Sequence, residues 1–423
     1  MTTLRERVKR TLPGGLRDAV AAARRSLAAP PLEEIVLHGY DLIEDPVMTP
    51  RLSLVIPTVA PAKAFGGVTT GLEIMLEIVL RTGAELRIIL DDFDRVVDPS
   101  IVEKRAAAVG IDPSAVEIVP RTRETPKIGV RASDVFCSFN WWTTLNVRSL
   151  LEQQHRAFGG PRRPQIYLIQ EYEPGGYPFS STHMMARMAV GGSWPCWGVF
   201  NSGELHAYVE AQGHRVERAF VFEPKLAASL RPFLQGEPPT KARRIVVYGR
   251  PSIERNCYPA VAKGLALWAD RYPEFADWEV VSAGLPHPPL PLGRNRSLRS
   301  LGMLPLEDYA LLLRTSAIGL SLMASPHPSY PPLEMAHFGL RTLTNTFAHK
   351  DLASSHPNII SLSDVAPETI AEALASACRA FAAEPDLGWR AKSGRPSYLA
   401  AGPLGCLDEL ADALNREVWV RES

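Results

Sequence analysis

An excess of charge of either sign is missing: 46 basic side chains stand against 46 acidic ones over 423 residues. A dedicated nucleic-acid binder would carry a basic surplus, so the balance argues against that class. Cysteine is scarce and scattered. Cys137, Cys196, Cys257, Cys378 and Cys406 form no CxxC pair, which fits neither a disulfide framework nor a zinc site and suits a reducing cytoplasm. No apolar run reaches the length of a membrane span, and no secretory signal pattern opens the chain. The GxGxxG dinucleotide fingerprint and the Walker lysine motif are absent too. What remains is a globular composition, 46% hydrophobic and 22% charged, in a chain too long for one core. Two domains are expected.

The local charge is less even. Arg5, Arg7, Lys9, Arg10, Arg17, Arg24 and Arg25 face only Glu6 and Asp18 within the first thirty residues. Leu4, Val8 and Leu12 recur at helical spacing until Pro13-Gly14-Gly15 interrupts them. Residues 1–48 therefore read as a basic helical segment, either lying on an anionic membrane surface or packed on its own domain.

From residue 49 the text becomes α/β. "LSLVI" (52–56) reads as a buried strand, followed by a Gly-bearing loop and the helical run "LEIMLEIVLRTG". Further strands are expected at "ELRIIL", "AVEIV", "DVFCSF", "QIYLIQ" and "WGVFNS". The polar, proline-rich "LQGEPPTKA" (234–242) reads as a linker, after which the pattern restarts with "RRIVVYG", "WEVVSAG", "IGLSLMAS" and "RTLTN" between amphipathic helices. The expected architecture is two doubly wound parallel-sheet domains, residues 49–235 and 236–405, closed by a helix over 406–423 near the junction. Ligands of such sheets bind beyond the carboxyl ends of the strands, and here both sets of ends can face one cleft.

Several residues fall at those ends. Gly66-Gly67 lets the backbone approach a ligand and leads into a helix whose free N–H groups suit an anion; a plain turn is the alternative. Arg250 directly follows "IVVYG", poised for a bidentate phosphate contact, with Arg255 five residues on. Trp141-Trp142 follow "DVFCSF"; one indole suits a sugar face, the other the core. "QEYEPGGYP" carries Glu171 and Glu173, either an acceptor wall or an ordinary polar turn. In "SYPPLEMAHFG", two prolines precede Leu333-Glu334, placing Glu334 in the first turn of a core-packed helix. There it either complements the helix dipole or reaches a ligand.

These features, in this order, resemble the GT-B glycosyltransferases of the large retaining family four, and most closely the WsaF-type rhamnosyltransferases that use dTDP-rhamnose. The resembling stretches are "LSLVIPTV…FGGVTTGLEIM", "FNWWTTLN", "IQEYEPGGYP", "VYGRPSIERNCYPAVAKGL", "LGMLPLEDYALLL" and "SYPPLEMAHFGLRTLTN". The resemblance implies a GT-B fold and transfer of L-rhamnose from dTDP-rhamnose onto a growing cell-surface glycan, lipid-linked acceptors included. It assigns Arg250 and Glu334 as catalytic residues. Donor binding falls to Gly66, Gly67, Arg250, Arg255, Ser329, Tyr330 and Glu334, and acceptor binding to Trp141, Trp142, Glu171 and Glu173. In the family, a Glu at the position of Glu334 bonds the donor's nucleotide sugar ring, while the preceding loop and helix end hold the diphosphate. An earlier family Glu is replaced here by Pro326, and the usual Lys after Arg250 is missing, with Arg255 as its substitute. No metal or cofactor is expected. The implied location is cytoplasmic, at the inner face of the plasma membrane, with residues 1–30 as the contact.

Rival readings remain. Asp92-Phe93-Asp94 imitates the metal-binding signature of GT-A transferases. A GT-B nucleotide-sugar 2-epimerase would act without a glycan acceptor, a transferase could take a UDP- or GDP-sugar, and an inactive scaffold would turn over nothing.

Overall fold

The computed structural model describes residues 37–61, 66–92, 97–121, 126–402 and 404–419. The basic N-terminal stretch, Phe65, Phe93 and Asp94 lie outside them. From Gly39 onward the chain forms one compact unit, built on two seven-stranded sheets.

The first sheet contains β2 (Arg51–Ile56), β3 (Glu85–Leu90), β4 (Val116–Val119), β6 (Asp134–Ser138), β7 (Gln165–Ile169), β8 (Cys196–Phe200) and β9 (Arg218–Val221). Their order is β4-β3-β2-β6-β7-β8-β9, parallel throughout. β2, β6, β7 and β8 are buried along their whole length, which is why they read as continuous apolar runs rather than alternations. β1 (Asp41–Glu44) and β5 (Lys127–Val130) form a separate two-stranded sheet among the described residues. Helices α1 (Gly66–Thr82), α2 (Ser100–Ala108), α3 (Trp141–Phe158), α4 (Ser181–Ala189) and α5 (Gly203–Ala211) fill the crossovers.

The second sheet runs β12-β13-β11-β10-β14-β15-β16. Its strands are β10 (Ala242–Gly249), β11 (Glu279–Gly284), β12 (Leu290–Gly293), β13 (Arg296–Ser300), β14 (Ser316–Leu320), β15 (Arg341–Asn345) and β16 (Ile359–Leu362). Only the edge strand β12 is antiparallel. Helices α6 (Tyr258–Arg271), α7 (Leu306–Thr315), α8 (Tyr330–His337) and α9 (Pro367–Ala383) flank it.

The crossing between sheets comes earlier than the proline-rich stretch suggests. Leu226 and Leu230 already lie in the second sheet's core, beside Val246 and Leu313. Residues 234–242 are strapped onto that domain instead of joining two. The Arg314 guanidinium donates to the carbonyls of Phe233, Gln235 and Glu237. Lys241 Nζ donates to those of Leu313, Arg314, Ser316 and Phe338 at 2.8–3.2 Å. Pro239 O accepts from Trp389 Nε1 at 3.1 Å in the same way, so a linker-like composition marks a surface strap here. The return crossing runs alongside the outward one: Leu226 N–H donates to Tyr398 O, and Lys225 Nζ to Gly402 O. Helix α10 (Leu407–Ala413) then packs on α1, and with the π-helical turn Leu414–Val418 that continues it buries Leu407, Leu410, Leu414 and Trp419 in the first sheet's core. Trp419 Nε1 fixes it by donating to Ser133 O at 2.7 Å. Helix α10 thus completes the first domain.

Candidate active site

Loops leaving the carboxyl ends of both sheets meet. After β7 the chain turns through Gln170, Glu171 and Glu173; after β14 it runs through Ser325 to Ser329 into α8. Ser325 Oγ donates to Glu171 Oε1 at 2.5 Å, and Arg255 Nε stands 3.9 Å from Glu171 Oε2. Tyr330 and Asn201, which follows β8, bond at 3.3 Å. Burial raises the pKa of Glu171, while Ser325 and Arg255 oppose the shift.

Arg250 leaves β10 where the two central strands are pressed together. A Cβ at Gly284 would stand 2.2 Å from Gly249 O, and Gly284 has φ +145°, so only glycine fits that approach. The half-buried Arg250 guanidinium touches Tyr248 Oη at 3.4 Å and has no carboxylate partner among the described residues. A strand-end arginine without an ion pair is free to meet an anion.

Glu334 lies deeper in its helix than the sequence suggests. α8 starts at Tyr330, so Pro331 and Pro332 occupy its first turn and Glu334 follows one turn in, leaving no acidic residue in the first turn. Prolines fit there because first-turn N–H groups have no intrahelical acceptor in any case. The same prolines remove two donors from this helix end, so an anion here meets fewer N–H groups than at an ordinary helix start. The Glu334 carboxylate accepts from Tyr309 Oη at 2.8 Å, and burial raises its pKa against that bond.

On the first domain, Gly66 and Gly67 open α1. A Cβ on Gly67 would stand 3.2 Å from Gln170 Oε1, and Gln170 Nε2 donates to Gly67 O at 3.2 Å. Trp141 is core: the residue is 1% exposed, and its Nε1 donates to Tyr177 Oη at 2.9 Å. Trp142 meets it edge-on and is half-buried. Glu173 is held by protein groups at both oxygens, Trp141 N–H at 2.9 Å and Tyr167 Oη at 3.0 Å. Burial pushes its pKa up to about 7. Glu171 is therefore the carboxylate of this loop that faces the other domain, and Glu173 anchors the start of α3.

Three residues here were not singled out in the sequence: Asn201, His327 and Lys350. Lys350 donates to Met323 O at 2.8 Å, and burial brings its pKa down to about 8. His327 stood in plain view within "SPHPSYPPLE", where a histidine between prolines in a strand-to-helix loop is the available signal. Asp91, just before the GT-A-like triplet, is buried and receives Tyr40 Oη and Asn146 Nδ2. Among the described residues, no three His, Cys, Asp or Glu side chains gather as metal ligands. No described helix is long and apolar enough to cross a membrane.

Two parallel α/β sheets with facing strand ends and a C-terminal helix returned to the first domain make this a GT-B fold. Solved structures agree. The chain matches WaaG, a glycosyltransferase involved in lipopolysaccharide biosynthesis, at TM-score 0.52 and 12% identity over 86% of this chain and 100% of the other. It matches a glycosyltransferase from Rickettsia africae at 0.55 and 10% over 89% and 100%. A sucrose-phosphate synthase from Thermosynechococcus elongatus matches at 0.52 and 12% over 82% and 94%. At such identities the likeness is one of fold.

The WsaF N-terminal domain model matches residues 51–203 and the WsaF C-terminal domain model residues 243–375, together well over half of the chain. The chain belongs to the WsaF family. It is also 32% identical over 252 residues to the O-antigen biosynthesis protein RfbC of Myxococcus xanthus, 59% of this chain but 18% of that protein's length.

Proposed function

We propose that the chain is a glycosyltransferase of cell-surface polysaccharide assembly, moving L-rhamnose from dTDP-rhamnose onto a growing glycan. The observation that carries this reading is Arg250, a guanidinium without a carboxylate partner among the described residues, at the end of the central strand β10. In the reaction the bond from sugar C1 to the diphosphate oxygen breaks, and the acceptor hydroxyl oxygen bonds C1. The acceptor's proton passes to the leaving phosphate, and dTDP departs. Negative charge grows on that diphosphate, and Arg250 with the helix ends at Gly66-Gly67 and Tyr330 can stabilise it. Glu334 receives a sugar-ring hydroxyl of the nucleotide; Arg255, Ser329 and Tyr330 complete the donor side. Glu171 and Trp142 line the acceptor side. Retention of configuration follows from the family resemblance. The acceptor, lipid-linked forms included, is met at the cytoplasmic face of the membrane.

The test offers dTDP-rhamnose, UDP-sugars and GDP-sugars with and without an acceptor glycan. Release of dTDP that depends on added glycan is expected. Turnover without glycan would favour the 2-epimerase, a preference for UDP- or GDP-sugars would reassign the donor, and no turnover would favour a scaffold.

Metal independence belongs to this reading, because the arginine and helix ends supply the positive charge. Full activity is expected in excess EDTA. Loss of activity that magnesium or manganese restores would revive the Asp92–Asp94 alternative.

A further inference from the structure

His327 has no part in the reaction as drawn above. It stands in the loop before α8, 5% exposed, with its ring centroid 5.8 Å from that of Tyr330. Its two ring nitrogens are not equivalent. Nδ1 accepts the backbone N–H of Ser329 at 3.0 Å. A neutral imidazole that accepts at Nδ1 carries its proton on Nε2. Burial keeps the ring neutral, bringing its pKa down to about 3, with Lys350 and Arg255 acting in the same direction and Glu204 opposing. Nε2–H is therefore a hydrogen-bond donor, and it is buried without an acceptor among the described residues.

Buried donors are almost always paired, so an orphan of this kind calls for a partner that the described residues do not provide. The surroundings say where that partner comes from. Glu204 belongs to the first domain, Arg255 and Lys350 to the second, so the ring stands where the two meet. Both flanks of its loop are tied across that boundary, Ser325 to Glu171 and Tyr330 to Asn201. Ser329, whose N–H fixes the tautomer, sits at φ +68°. A non-glycine residue keeps that conformation only where its surroundings enforce it, and such sites cluster at ligand clamps.

We propose that His327 Nε2–H donates a hydrogen bond to the nucleotide sugar, at an oxygen of the transferred sugar or of the diphosphate. The inference rests on the donor-site reading given above. It adds a neutral, directional contact to the charged one from Arg250, and an atom with no lone pair to offer cannot replace the ligand oxygen.

Two substitutions separate the two nitrogens. His327→Asn keeps an acceptor near the Nδ1 position for Ser329 N–H and removes the outer donor. His327→Gln reaches the Nε2 position and keeps a donor there. The readouts are circular dichroism and melting of the full chain, affinity for dTDP and for dTDP-rhamnose, and kcat and KM with glycan present. His327→Asn is expected to fold and melt like wild type yet lose about tenfold in kcat/KM, one hydrogen bond's worth, with His327→Gln recovering most of it. If the bond goes to the sugar, dTDP affinity stays level and only dTDP-rhamnose weakens; if it goes to the diphosphate, both weaken together. Unchanged kcat/KM in His327→Asn overturns the proposal, and so does a loss that His327→Gln fails to restore. Wild-type protein that binds none of dTDP, UDP and GDP overturns the donor-site reading itself, a result visible before any variant is made.

Discussion

Arg250→Ala is expected to lower turnover by about 10²–10³-fold while weakening dTDP binding much less. The asymmetry comes from when the charge appears. In the bound donor the diphosphate charge is shared with the sugar bond; as C1 departs, it concentrates on the leaving oxygen. A guanidinium aimed there strengthens its bonds toward the transition state, so its removal falls mainly on kcat. No carboxylate competes for Arg250 among the described residues, and its perch on β10 is fixed by the Gly249–Gly284 approach. Arg250→Lys should recover only part of the loss, because an ammonium keeps the charge without the planar fork. Turnover and dTDP affinity of wild type and both variants, with circular dichroism as the folding control, decide the matter. A folded Arg250→Ala enzyme with near-normal turnover would sink the phosphate assignment and the donor site built on it.

Arg250 could be found in the sequence for a simple reason: parallel strands buried on both faces are unbroken apolar runs, so their ends are visible, and ligands gather at those ends. The same logic drew attention to Glu171, Trp141 and Gly66, but it could not show that Trp141 is a core residue. It failed where strands are short and half-polar. β1 ("DLIE") and β5 ("KIGV") form a separate two-stranded sheet among the described residues, and β12 is disguised by Pro291 inside it and by prolines at 288 and 289 before it. The β12–β13 turn places Arg294 and Asn295 at positive φ in the two central positions where glycine or asparagine-glycine is usual, with Gly293 just before them at φ +85°. Composition also misplaced the crossing between sheets, since a proline-rich stretch can be a strap as readily as a linker. Nor could the sequence show which carboxylate of "QEYEPGG" faces the cleft. That depends on Ser325, which lies 154 positions from Glu171, and on Tyr167, whose hydroxyl holds Glu173.

Glu334→Gln is expected to leave the fold intact and weaken use of the donor by roughly 10–100-fold. The amide preserves shape and can still receive the Tyr309 hydroxyl, so packing around α8 should survive. What disappears is a charged acceptor, and hydrogen bonds to charged groups are worth about 1.5–3 kcal/mol. The pH profile gives an independent check. Burial raises the Glu334 pKa above the ordinary glutamate range, so the ionised form is lost as pH falls through that raised value. Donor use by wild type should therefore fall on the acid side at a higher pH than an exposed carboxylate would give, and Glu334→Gln should flatten that limb. Glu173, with its pKa near 7, titrates in both proteins, so the difference between the two profiles isolates Glu334. Tyr309→Phe should shift the wild-type limb upward, because the lost hydroxyl stabilised the ionised carboxylate. If Glu334→Gln matches wild type in KM and turnover for the donor, and the two pH profiles superimpose, Glu334 is a packing residue of α8 and its carboxylate meets no ligand.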